Sequence, residues 1–134
     1  MTFKLINPVS LGSPRGFSNG VLTDAGGRLL FVAGQIGWDE TQVIVSENFV
    51  EQFDRALANV IAVITEAGGR PEQIARIVIY VTNKLEYLEH QRSIGRRYQA
   101  RMGKHFPAMV LVEVKSLLDE KAKVEIEAVA VLSS

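Results

Sequence analysis

Arg76-Ile77-Val78-Ile79-Tyr80-Val81-Thr82 is β-branched and aromatic enough to predict a strand, and it is apolar at both parities. Side chains alternate along a strand, so Ile77, Ile79 and Val81 fall on one face and Val78 and Tyr80 on the other. A second segment, Ala108 to Val114, repeats the pattern, with Val110, Val112 and Val114 beside Met109 and Leu111. Two amphipathic helices are available as cover. The first starts at Ser46, read as an N-cap with Glu47 in the first turn; it carries Phe49, Phe53, Leu57, Val60 and Ile64 at helical spacing and stops at Gly68-Gly69. The second is expected over Leu85 to Met102, with Leu88, Ile94, Tyr98 and Met102 on one side and Gly103 as its stop. Two helices can cover only one face of the sheet. A bare second face would exceed the apolar patch a monomer usually exposes, so that face is expected to be buried against other copies of the chain.

Outward from these strands, the first part reads as Lys4 to Ile6, a Pro/Gly/Ser loop from Asn7 to Gly16, Phe17 to Thr23, a turn at Asp24-Ala25-Gly26-Gly27, and Arg28 to Ala33. Pro71 can open a short helical turn, and Lys123 to Leu132 is the last strand, reached through a charged turn at Asp119, Glu120 and Lys121. The expected architecture is an α+β single domain over residues 1–134, a mixed sheet with both helices on one face. A chain of 134 residues, 47% hydrophobic and 22% charged, suits one soluble globular domain. Fifteen Lys plus Arg against fifteen Asp plus Glu leave no net field to draw it to nucleic acid or membrane, which favours a small-molecule partner. With no Cys, disulfides, thiolate nucleophiles and thiolate metal sites are all excluded. The opening MTFKLINPVS lacks a basic n-region and a long apolar run, so a cytoplasmic location without a membrane partner is expected.

Few motifs carry chemistry. His90 and His105 have no HxxxH or HExxH spacing, so no metal site and no cofactor are expected. Neither a Gly-x-Ser-x-Gly elbow nor a phosphate-cradling glycine loop is present. The densest basic cluster, Arg92, Arg96, Arg97, Arg101, Lys104 and His105, could track RNA phosphates, but cations late in a helix also complement its dipole, and only Tyr98 could stack a base. Nucleic acid is therefore not the expected partner. In Lys123 to Leu132, Glu125 and Glu127 share a parity with Val129 and Val131. Either they mark an exposed strand start, or a carboxylate stands at a pocket rim, desolvated enough to act as a base on water.

Four segments together resemble one family. AGQIGWD (Ala33 to Asp39) is similar to an S-G-Q-I-P segment, FPAMVLVEV (Phe106 to Val114) to a P-A-R-x-C-V-x-V strand, KVEIEAVAV (Lys123 to Val131) to V-E-I-E-A-I-A, and RGFSNGV (Arg15 to Val21) to G-P-Y-S-x-G-V, all of the reactive intermediate deaminase (RidA, YjgF-type) family. The resemblance implies a chorismate-mutase-like fold with a mixed six-stranded sheet and two helices on one face. It also implies a homotrimer around a central barrel, with small-molecule clefts between subunits. The implied activity is cofactor-independent hydrolysis of small imines and enamines to 2-keto acids and ammonia. Glu125 takes the place of a water-handling glutamate and Gly34 that of a glycine whose backbone lines the pocket.

The chain departs from the family around that cleft. Met109 stands where an arginine grips the substrate carboxylate, Leu111 where cysteine is common, Phe17 for tyrosine, and Ala33 for serine. Gln91 replaces an asparagine supplied from the neighbouring subunit. Losing a bidentate carboxylate contact in a partly buried cleft costs on the order of 2–5 kcal/mol, so the usual 2-imino acid deaminase activity does not transfer directly. Either Arg15 supplies the cation from another direction, or the substrate lacks a carboxylate near its reactive carbon. Hydrolysis of a C=N or enamine bond is the leading expectation. A non-catalytic ligand-binding or regulatory trimer is the alternative, followed by the endoribonuclease or translation-inhibitor activity ascribed to some relatives.

Overall fold

The strand over Arg76–Thr82 forms as β4 (Ile74–Val81), a central strand of a four-stranded mixed sheet of order β3-β6-β4-β5. Its partners are β6 (Val124–Leu132), antiparallel, and β5 (Ala108–Glu113), parallel; β3 (Arg28–Ile36) adds antiparallel to β6. This computed structural model describes residues 3–24 and 26–133, so Met1 and Thr2 of the opening segment and Ala25 of the expected turn lie outside the described residues, as does Ser134. Parallel pairing of β4 with β5 requires a crossover, and α2 (Lys84–Glu89) and α3 (Gln91–Met102) provide it. Among the described residues the six strands divide into two sheets. β1 (Lys4–Ile6) and β2 (Gly20–Leu22) pair only with each other, and a single bridge from Ser18 to Ala108 ties this hairpin to the main sheet.

The long helix α1 (Phe49–Glu66) lies across the sheet with α3 beside it, and the core between them and the strands contains Phe53, Leu57, Val60, Ile64, Ile77, Ile79, Ile126 and Met102. The N-cap of α1 is Asn48, not Ser46: Asn48 Oδ1 accepts from Glu51 N at 3.0 Å, while Ser46 Oγ accepts from Asn48 N at 2.9 Å. Both side chains serve the same terminus, and the second one takes the cap. The expected second helix is two helices. They meet at His90, whose φ of −114° and ψ of 19° leave the helical region, and whose Nδ1 lies 2.7 Å from Glu86 O. One polar residue, Gln52, is fully buried in the α1 stripe. Its Nε2 donates to Ser46 O (2.9 Å) and Lys121 O (3.0 Å), and its Oε1 accepts from Lys123 N (2.8 Å), which fastens the loop before β6 to the helix.

The helices bury Ile77, Ile79, Val124, Ile126, Ala128 and Ala130 on one face of the sheet. On the opposite face Phe31 is 72% and Leu29 62% exposed, with Val110 and Val112 at about 40%, so the apolar second face read from strand parity is uncovered in the single chain. No helix among the described residues is long and apolar enough to cross a membrane.

Candidate functional site

Glu125 and Glu127 both point from β6 to the face without helices, yet their surroundings differ. The register pairs Tyr80 with Glu125 and Val78 with Glu127, and the Tyr80 hydroxyl donates to a Glu127 carboxylate oxygen. That hydrogen bond, aided by desolvation, raises the phenol pKa above its ordinary value. Glu125 is half-buried, and its carboxylate makes no hydrogen bond among the described residues. Across from Glu127, β3 carries a bulge: three steps from Val32 to Gln35 face two from Ala128 to Ile126, so Ala33 and Gly34 leave the ladder, and Glu125 pairs with Ile36 just beyond it. A Cβ on Gly34 would lie 2.8 Å from Glu125 Cδ and 3.0 Å from its Cγ. Only glycine lets the carboxylate lie against the β3 backbone there.

Met109 and Leu111 occupy the other parity of β5 and pack toward the helices, against the core. Met109 forms part of the floor of a cavity of ≈ 450 Å³ with Phe53, Ile79, Tyr98 and Phe106. Gln91, Arg92, Gly95, Arg96 and Gln99, all on α3, form its rim. Burial raises the Tyr87 and Tyr98 phenol pKa values in its wall, and Tyr98 donates to His105 O at 2.7 Å. Phe17 is placed beside Met109, Ala108 and Arg76 in a smaller hollow at the start of β5. Its neighbour Ser18 is buried, its N–H donating to Pro107 O and its hydroxyl to Phe106 O. Arg15 is exposed and forms no hydrogen bond or ion pair among the described residues.

The residues singled out in the sequence therefore fall into two groups. Gln91, Phe17, Met109 and Leu111 gather around β5, and Ala33 and Gly34 gather with Glu125. The sheet stands between the groups, because Met109 is level with Ile77 on the helix side while Glu125 is level with Tyr80 on the open side. Within one chain they do not meet. The basic cluster also divides. Arg101 grips Asp54 on α1 with Nε at 2.7 Å and Nη2 at 3.0 Å, and Arg97 adds a contact at 3.0 Å, whereas Arg92 and Arg96 reach the cavity rim. Their placement was missed in the sequence, where the signal is faint: Arg92 and Arg96 are four apart, and so are Arg97 and Arg101, and adjacent helical registers look alike until a partner such as Asp54 is known. His105 Nε2 lies 2.7 Å from Ile74 O, so both histidines serve backbone carbonyls. Among the described residues, no group of three or more His, Cys, Asp or Glu side chains is placed to hold a metal ion.

Comparison with known proteins gives one consistent result. The family model for Endoribonuclease L-PSP matches residues 10–132. A RutC family protein of Pyrococcus abyssi is 33% identical over 105 residues, covering 78% of this chain and 79% of that one. A 2-iminobutanoate/2-iminopropanoate deaminase of Salmonella typhimurium is 31% identical over 108 residues, covering 78% and 80%. Among solved structures, YyfB of Yersinia pestis, a Rid family protein of unknown function, superposes with a TM-score of 0.86 at 29% identity, covering 98% of this chain and 100% of that one. The α+β architecture, three helices on a mixed sheet, is the chorismate-mutase-like fold of these proteins, and the chain belongs to the Endoribonuclease L-PSP family, that is, the RidA/YjgF family.

Proposed function

We propose that the protein is a cofactor-independent hydrolase of a small reactive imine or enamine, working as a cytoplasmic homotrimer with each site in a cleft between two subunits. The observation that carries this reading is Glu125, a half-buried carboxylate without a hydrogen-bond partner, seated against the bulged backbone at Gly34. Such a group is free to accept a proton from water. Water oxygen then adds to the imine carbon while the C=N π-electrons take up on nitrogen the proton that Glu125 received, leaving the carboxylate as it began. Collapse of the carbinolamine forms the carbonyl and releases ammonia. An enamine substrate enters the same sequence after tautomerising to the imine. The two groups of site residues lie on opposite faces of the sheet, so a second copy must bring the Met109 group of one subunit against the Glu125 group of its neighbour. The exposed Phe31 and Leu29 give that association its apolar surface.

The family relative named as an iminobutanoate/iminopropanoate deaminase supports the reaction class. Met109 speaks for a different substrate within it. The endoribonuclease reading is weakened because Arg97 and Arg101 are already paired with Asp54. A coupled assay tests the proposal: a dehydratase generates the imine of 2-oxopropanoate or 2-oxobutanoate, and a panel of amino-acid oxidases generates imines with larger side chains. Accelerated clearance of at least one imine, lost in Glu125→Ala, is expected. No acceleration across the panel would leave the non-catalytic ligand-binding trimer as the function.

A further inference from the structure

The cavity over Met109 is apolar in its depth and positive at its mouth. Phe53, Ile79, Ile94, Tyr98, Phe106 and Met109 supply the interior, and both charged side chains that line it, Arg92 and Arg96, are cations. No carboxylate of the same chain belongs to its lining, and neither arginine forms an ion pair among the described residues. Arg96 has only a long 3.4 Å contact to Ser93 Oγ. By contrast Arg97 and Arg101, on the same helix, are both paired with Asp54. The cavity's ≈ 450 Å³ lies within the usual range for small-molecule pockets.

Gly95 leaves the mouth of this cavity open. It is interior to α3, where glycine weakens a helix relative to alanine, and nothing lies within 4 Å of where its Cβ would be. Within the single chain, neither backbone conformation nor packing requires a glycine here. It stands on the cavity rim between Arg92 and Arg96, and a larger side chain would project into the opening.

We propose that this cavity binds a carboxylate with an apolar body, the carboxylate held by Arg92 and Arg96 on α3 and the body laid on Met109 and Phe106 through the opening left by Gly95. The chain thereby recognises an anion by cations on the helix rather than on β5, and the floor that Met109 creates selects a bulkier apolar group. Guanidinium suits the task because it can meet a carboxylate with two parallel N–H donors. The proposal rests on reading the cavity as one half of the substrate site, and it concerns binding alone.

Isothermal titration of the resting protein with 3-phenylpropanoate, 3-phenylpropanamide and acetate tests it. The phenyl acid should bind at least about tenfold more tightly than the neutral amide or the small anion, and Arg92→Gln and Arg96→Gln should each weaken it by about five- to tenfold. Gly95→Leu, whose Cβ meets nothing within 4 Å, should abolish binding in a protein with unchanged circular dichroism, while Lys104→Gln, outside the cavity, should bind as the wild type does. Equal affinity for acid and amide, no binding of the acid by the wild type, or full binding in Gly95→Leu would overturn the proposal. Arginine-dependent binding in a protein that clears no imine would uphold it and remove only the hydrolase reading.

Discussion

Tyr80 on β4 gives its hydroxyl hydrogen bond to Glu127 and not to Glu125, although Glu125 is the residue directly across the ladder from it. The two glutamates of one strand face are thereby separated into one with a fixed partner and one without. Glu125→Gln should lower kcat by about 10²-fold or more, the usual cost of removing a general base, whereas Glu127→Gln should leave most of it. Ultraviolet titration checks the second half: with Glu127 neutralised, the Tyr80 phenol loses the main cause of its raised pKa and should titrate at lower pH.

Gly34→Ala forces a methyl group into the Glu125 carboxylate. Either the side chain swings out or the bulge flattens. Overpacking of this kind costs about 1–3 kcal/mol, and the displaced carboxylate should lose about tenfold or more in turnover with a smaller change in KM. Urea midpoints and steady-state kinetics on one preparation separate the two effects.

Phe31, 72% exposed on the face without helices, is placed to enter a subunit interface. Burying such a side chain contributes about 1.5–3 kcal/mol, and a charge there would be desolvated without a partner. Light scattering at micromolar concentration should report a trimer for the wild type and smaller species for Phe31→Glu. A wild-type monomer would remove the proposed cleft altogether.

Asp54 is held below the ordinary carboxylate pKa range, first by its hydrogen bond from Arg101 and then by the charges of Arg101 and Arg97. Because the folded pKa is the depressed one, the stabilisation is complete above the unfolded value of about 3.9 and is lost as pH falls through the folded value. The arginines are partly exposed, so solvent screening limits the gain to about 1 kcal/mol. Asp54→Asn should show that loss at pH 7 in chemical denaturation, and the gap between the two proteins should close as the pH falls below the depressed folded pKa of Asp54.

Strand parity made the apolar second face legible, since Ile77 and Val78 are apolar whatever they pack against. Helix ends were less so. Ser46 and Asn48 are both good caps, and the choice between them depends on where Gln52 is anchored by Ser46 O and Lys121 O. The break at His90 lies inside an unbroken run of helix-compatible residues and shows only in the backbone. For the site, the alternation within β5 and within β6 could be read separately, but not which parity of one shares a face with which parity of the other. That relation is set by the pairing of Ile77 with Met109 and of Tyr80 with Glu125. Residues grouped by resemblance thus proved to belong to two sides of one sheet.

The sheet that keeps Met109 and Glu125 apart has a genetic consequence. If a working site draws one group from each of two chains, a chain lacking Glu125 and a chain with a blocked cavity are each dead alone but not dead together. Mixed assemblies of Glu125→Ala and Gly95→Leu chains contain junctions at which an intact cavity meets an intact glutamate. Two defective alleles expressed in one cell would then complement each other, something a site built within a single chain could never do.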